Sequence, residues 1–194
     1  MTPPHPPGTV VVVQHAEKGR GADPGLTRRG VRQAHDVAAA LADHGVRAVH
    51  ASPRRRTRQT AAPLARALGL ATVVEADLAE RMEWVPGTQT VEEFLADWGR
   101  ATADRDHRPR SGDSSRAAGD RLDAALRRLA TTAPVVAVTH GGVTVDFLRT
   151  TFGDGAVPVH LDADGVPPGA LTALALVDGV WRLVRLAATD HLTV

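Results

Sequence analysis

The chain has 194 residues, of which 43% are hydrophobic and 23% charged, with a formal net charge of +1 and no cysteine. That length accommodates one domain with a full core, and the charge balance gives no global field toward nucleic acid or a membrane surface. The missing cysteines exclude disulfides, thiolate nucleophiles and cysteine-based zinc sites.

Residues 1–8 are rich in proline and lack the charged start and apolar core of a signal peptide, so they read as a loose tail before a single domain over 9–194. No apolar stretch approaches the length of a membrane span, and a cytoplasmic protein is expected. Residues 9–14 form a β-branched run, Thr9-Val10-Val11-Val12-Val13-Gln14, which predicts a buried strand ending at His15. From Thr27 the apolar spacing turns helical through Val31, Ala34, Ala38 and Leu41, with Thr27 as N-cap and Gly45 as stop. A short strand is expected over 46–50 and a helix over 54–68 with Pro63 a kink or break. A third strand follows over 71–75. A helix over 90–101 carries Val91, Phe94, Leu95 and Trp98 on one face, with Trp98 read as core.

Residues 102–115 read as a charged surface loop. Ser114 or Ser115 then caps a helix to Ala130 that turns Leu122, Ala125, Leu126 and Leu129 inward. The run from Pro134 to Thr139 predicts a strand ending at His140, followed by a helix over 143–151. Residues 171–177 and 180–186, joined by Asp178-Gly179, form a hairpin. Strands alternating with helices and closed by a hairpin give an α/β class, a three-layer α/β/α sandwich with a mostly parallel sheet and an antiparallel edge. The edge hairpin offers a strand to a second copy of the chain, a homodimer being one option.

Two histidines thus stand at the ends of two buried strands, His15 and His140, and ligand sites in such sheets gather beyond the strands' carboxyl ends. A neutral imidazole can attack phosphorus; taken alone, His15 reads equally as a histidine capping a strand end. The run Arg54-Arg55-Arg56-Thr57-Arg58 starts a helix at the same edge, where an arginine grips a phosphoryl group bidentately, while others of the run form a solvated basic face. Asp77, Glu80, Arg81 and Glu83 follow the third strand. A carboxyl group there protonates a leaving oxygen if burial raises its pKa, although such acids usually lie on the surface.

These pieces come in a telling order. His15-x-Glu17 is followed by Leu26-Thr27-x-x-Gly30-x-x-Gln33-Ala34, then by Ser52-Pro53-x-Arg55-Arg56-Thr57-x-Gln59-Thr60-Ala61. Leu78-Ala79-Glu80-Arg81 and Val138-Thr139-His140-Gly141-Gly142 complete it. The series resembles the histidine phosphatase superfamily, the phosphoglycerate-mutase-like proteins, from Val10 to about Leu148. The resemblance implies a sandwich fold and metal-free, cofactor-free hydrolysis of a phosphomonoester through phosphohistidine. It implies His15 as nucleophile, Arg56 as the phosphoryl-binding arginine of an Arg-Ala-x-Gln-Thr segment, Glu80 as general acid/base and a protonated His140 in the phosphate pocket. Gln14, Lys18, Arg55 and Gly141 fall in the substrate-binding set. Ser114 and Arg116 join it through the likeness of Gly112-Asp113-Ser114 to the family's Gly-Glu-Ser loop.

The chain departs from the family's Arg-His-Gly start: it has Gln14-His15-Ala16. Glutamine removes a permanent charge from a dianion pocket, and one lost donor can slow such chemistry about a hundred- to a thousandfold. Lys18, Arg20, Arg55 and Arg116 are the candidate replacements. Two rivals follow: a phosphate-ligand binding or regulatory protein impaired at Gln14, and, less favoured, a mutase, which usually carries extra covering segments where this chain is short. A metallohydrolase is disfavoured because the nine histidines include no ligand spacing. The expected partner is a small phosphate ester, with sugar phosphates, metabolite phosphates and phosphoproteins all open. Residues 83–91 and 104–115 are expected to frame the pocket mouth.

Overall fold

The computed structural model describes residues 8–193, and of residues 162–164 the backbone only. Apart from Gly8, the proline-rich tail lies outside the described residues. Six strands form one sheet in the order β3-β2-β4-β1-β5-β6. The elements are β1 (Thr9–Gln14), α1 (Arg28–Leu41), β2 (Ala48–Ala51), α2 (Arg55–Ala67), β3 (Thr72–Val74), α3 (Val91–Ala103), α4 (Ser115–Ala130), β4 (Val135–Thr139), α5 (Gly141–Phe152), α6 (Val159–Asp164), β5 (Leu171–Val177) and β6 (Val180–Ala188). The first four strands run parallel and β5 and β6 antiparallel, as the element pattern predicts.

The unbroken apolar runs of β1 and β4 exist because both faces of the sheet are covered. Val10, Val12, Val135 and Ala137 enter one core cluster with Leu122, Leu126, Phe147 and Trp181. Val11, Val13, Val136 and Val138 enter the other with Val37, Leu41, Leu64 and Ala65. Side chains alternate across a strand, so each run feeds both layers. Thr27 caps α1 by accepting from the Gly30 backbone N–H, and Asp178 and Gly179 make the β5–β6 turn with φ of 50° and 76°. That pair of positive φ values suits the right-handed twist of a two-residue hairpin.

Two expectations need correction, and one element, α6, was not expected. Pro63 neither breaks nor ends α2, which continues to Ala67. Proline removes only one helical N–H, and the buried face of Thr60, Ala61, Leu64 and Ala65 holds the helix against the sheet. α6 escapes sequence reading because six residues carry too little periodicity. The apolar face of α3 does not close into the core: Val91 is 46% and Leu95 59% exposed, and Trp98 is only half-buried.

Close packing also fixes the loop that follows β1. A Cβ on Gly30, inside α1, would lie 2.0 Å from the carbonyl oxygen of Glu17. Helix propensity favours alanine over glycine by about 1 kcal/mol, but overpacking against backbone costs about 1–3 kcal/mol. Gly30→Ala is therefore expected to lower the thermal midpoint; calorimetry showing a rise would mean that the loop after β1 yields freely.

Candidate active site

The parallel pairing of β1 with β4 places Gln14 opposite Thr139, and the His15 N–H donates to the Thr139 carbonyl at 3.0 Å. The next residue on each strand is a histidine, and the two rings meet edge-on with centroids 5.3 Å apart. Gly141 and Gly142 open α5 directly after His140.

Each ring has a tautomer set by its partners. The Nδ1 of His15 lies 2.9 Å from the Ala16 carbonyl oxygen, which can only accept, so Nδ1 carries the proton and Nε2 a lone pair. Burial, with the charges of Arg56 and Lys18 adding to it, pushes the His15 pKa down to about 4, so the ring is neutral at physiological pH. At His140 the Arg56 guanidinium donates Nη2–H to Nδ1 at 3.1 Å, which leaves the proton on Nε2, 2.7 Å from the Ser52 hydroxyl. Burial first, and then the charge of Arg56, holds His140 well below the usual histidine range. The protonated His140 expected from the sequence is therefore corrected: both its nitrogens are engaged, and an added proton would face Arg56.

Arg56 is buried at the floor, where its Nε has no partner among the described residues. Its Nη2 also donates to Glu83 Oε1 at 2.6 Å. Glu80 is held by three backbone donors, its own neighbour Arg81 and the Gly142 and Val143 N–H groups at the start of α5, at 2.7–3.0 Å. Burial nevertheless pushes its carboxyl up to about 6, and the nearby charge of Asp146 adds to the rise. Gly142 is required here, because a Cβ would lie 2.7 Å from Glu80 Oε1 and 2.6 Å from the Trp98 ring. Behind Glu80, Arg81 donates to Asp146 at 3.0 Å and to Thr102 at 2.8 Å, and its guanidinium sits 4.1 Å over Trp98.

His15, Arg56, Glu80, Glu83 and the two glycines line one cleft of about 460 Å³, and His140 lies buried behind it rather than in its wall. Gln14, His15, Lys18, Arg56, Glu80 and Gly141 all face it, so six of the expected site residues come together. Glu83 and Trp84 frame it as expected, and Val91, Phe94 and Leu95 of α3 supply an apolar wall.

Arg55, Ser114 and Arg116 lie outside the cleft. Arg55 lines an adjoining depression made by residues 19–26, which shares Gly21, Ala22 and Pro24 with the cleft. Ser114 is occupied as the N-cap of α4, accepting from the Ala117 N–H. Arg116 is exposed and forms a two-bond pair with Asp106 at 2.7 and 3.0 Å. No residue of 104–115 lines the cleft. Of the candidate replacements for the missing arginine, only Lys18 is there. Glu83 and Ser52 are the residues that sequence reading undervalued; Ser52 was visible only as part of a Ser-Pro-x-Arg-Arg string. Among the described residues, no group of three or more His, Asp or Glu side chains could hold a metal ion.

The family model described as histidine phosphatase superfamily, branch 1, matches residues 5–189. The chain belongs to the histidine phosphatase superfamily. Solved structures of similar fold include a mycobacterial glucosyl-3-phosphoglycerate phosphatase, crystallised with VO3, at 21% identity and TM-score 0.73, with 93% of this chain and 99% of that chain covered. A phosphoserine phosphatase mutant from Entamoeba histolytica, in complex with phosphoserine, aligns at 20% identity and TM-score 0.71 over 95% of this chain and 98% of that one. YhfR from Bacillus stearothermophilus aligns at 17% identity and TM-score 0.74, again over 95% and 98%. No curated protein sequence matches the chain. Superfamily membership accords with His15, Arg56 and Glu80 sharing one cleft, with His140 buried against Arg56 and the His15 ring.

The tautomer assignment is directly measurable. NMR titration of His15 is expected to give a midpoint near pH 4 with Nδ1 protonated, and Arg56→Gln should raise that midpoint by removing a repelling charge. A native midpoint near 6.5 would contradict the buried, neutral imidazole.

Proposed function

We propose that the chain is a metal-independent phosphomonoester hydrolase that works through a phosphohistidine intermediate on a small phosphorylated metabolite. The observation that carries this reading is His15: a buried imidazole, neutral, with its free Nε2 in a cleft beside a buried guanidinium whose Nε is unpaired. That is a nucleophile next to an anion grip.

The chemistry takes two steps. His15 Nε2 attacks phosphorus and the bond to the ester oxygen breaks, while Glu80 in its acid form gives its proton to the departing alcohol. Water then attacks the phosphohistidine and the phosphorus–nitrogen bond breaks. Ionised Glu80 takes the water proton and inorganic phosphate leaves. Arg56 holds the equatorial oxygens, with Gln14 and Lys18 beside it. His140 serves as a neutral brace, fixing the Arg56 guanidinium through Nδ1 and itself fixed by Ser52.

A second reading has one specific observation behind it. Among the lining residues Lys18 and Arg56 carry positive charge, and Glu83, joined by Glu80 once it is ionised, carries negative charge, which is a weak field for a dianion. A binding or regulatory protein with a slowed site fits that balance. Gln14→Arg separates the two readings: a large gain in turnover supports the slowed site, and a loss means the glutamine is adapted.

Turnover of an activated aryl phosphate is expected in excess chelator and should vanish in His15→Ala. The free-enzyme profile of kcat/KM should rise through about pH 4, as His15 loses its proton, and fall through about pH 6, as Glu80 loses its own. Glu80→Gln should cost about 10²–10⁴-fold with an alkyl phosphate and far less with the aryl ester, whose leaving oxygen needs no proton. Full activity of His15→Ala would end the proposal.

A further inference from the structure

The most unusual contact in the cleft is a carboxylate on the phosphate-binding arginine. Glu83 Oε1 accepts from Arg56 Nη2 at 2.6 Å and lies 3.1 Å from Arg54 Nε, so one oxygen serves two guanidinium groups. Glu83 lines the cleft, its side chain is 20% exposed, and it sits on the segment between β3 and α3 rather than inside a helix or strand. Arg54 does not line the cleft; it is the N-cap residue of α2, just outside it. Arg56 keeps its orientation without Glu83, because Nη2 also reaches His140 Nδ1 and the side chain is buried.

A phosphoryl group arriving at His15 needs the donors of Arg56, and Nη2 is already spent on an anion. Charge-assisted hydrogen bonds of this kind are about twice as strong as neutral ones, so the two anions cannot be indifferent to each other. Like charges on one donor compete. Arg54 gives the displaced carboxylate a place to remain paired.

We propose that Glu83 is an intramolecular competitor of the phosphoryl group for Arg56, a specificity-determining residue that yields to a bound phosphate by leaning on Arg54 and returns to expel product phosphate. This rests on the phosphatase reading of the same cleft. It also accounts for the coexistence of Gln14 with Glu83: both lower the hold on a dianion, which favours release over retention. A cleft tuned in this way discriminates by charge. A phosphate dianion displaces the carboxylate, and a singly charged carboxylate or diester ligand does so poorly.

The sign of one substitution decides the matter. Glu83→Gln keeps an oxygen acceptor for Arg56 but removes the competing charge, so inorganic phosphate measured by titration calorimetry on the full chain should bind about tenfold more tightly. If Glu83 only buttresses Arg56, binding will be unchanged or weaker, and the competitor is overturned. Arg54→Gln should weaken phosphate binding in the native background and have no effect alongside Glu83→Gln. Equal weakening in both backgrounds would make Arg54 a phosphate ligand and overturn the exchange.

The control is Arg56→Gln. Phosphate binding to the native protein that Arg56→Gln abolishes upholds the pocket even where Glu83→Gln refutes the competitor. No phosphate binding to any of the proteins overturns both readings together.

Discussion

Everything in the cleft depends on the parallel pairing of β1 with β4. Register in a sheet is all-or-none for side-chain direction, and a slip of one residue would turn every side chain to the opposite face. The pairing of Gln14 with Thr139, extended by the bond from the His15 N–H to the Thr139 carbonyl, brings two histidines from residues 125 positions apart in sequence to within ring contact. The same register lets Gly141 and Gly142 begin α5 beside them, and the α5 N–H groups then hold Glu80. His15, His140 and Glu80 are thus placed by one backbone alignment, and the buried valines that fix it belong to the two core layers.

The residues that make the sequence legible are mostly those that secure the chain after His15. Ala16 donates its N–H to the Thr60 hydroxyl, Glu17 donates its N–H to the Gln33 side chain, and Thr27 donates its N–H to the Glu17 carbonyl and its hydroxyl to the Glu17 carboxylate. Gly30 must be glycine because the Glu17 carbonyl passes against it. Thr27, Gly30, Gln33 and the distant Thr60 are therefore one clamp on the backbone of Ala16 and Glu17. A clamp of this kind forces residue types at fixed spacing, and that is why the motif string, more than any single histidine, led to the fold and to His15, Arg56, Glu80 and His140.

What could not be read was the state of those side chains. The charge of His140 follows from Arg56 and Ser52 closing on its two nitrogens, and neither approach is encoded in local pattern. Ser114 and Arg116 looked like ligands from their place in a loop, yet a helix cap and a surface ion pair already engage them. Arg55 and Arg56 are neighbours in sequence and point to different depressions, since adjacent helix positions are turned about 100° apart. The buried pairing of Arg81 with Asp146 joins a residue of the motif string to one inside α5 that no motif marks, and it emerges only once α5 is packed.

The charges of the cleft follow a single logic. A phosphatase must bind its substrate and then release a product that presents the same anion to the same donors, so a stronger grip on phosphate helps the first task and hinders the last. Stabilisation that is equal for substrate, transition state and product does nothing for turnover. Neutral Gln14 beside His15 and anionic Glu83 on Arg56 both subtract from that uniform grip. On the proposed mechanism, burial of His15 and Glu80 does not subtract, because it acts on the groups that would change bonding or protonation: one ring kept unprotonated, one carboxyl pushed up to about 6. On the mechanism proposed above, glutamine at position 14 lowers ground-state affinity for a dianion and leaves the reacting groups in place. The geometry that remains is the part that distinguishes the reacting group from the bound one.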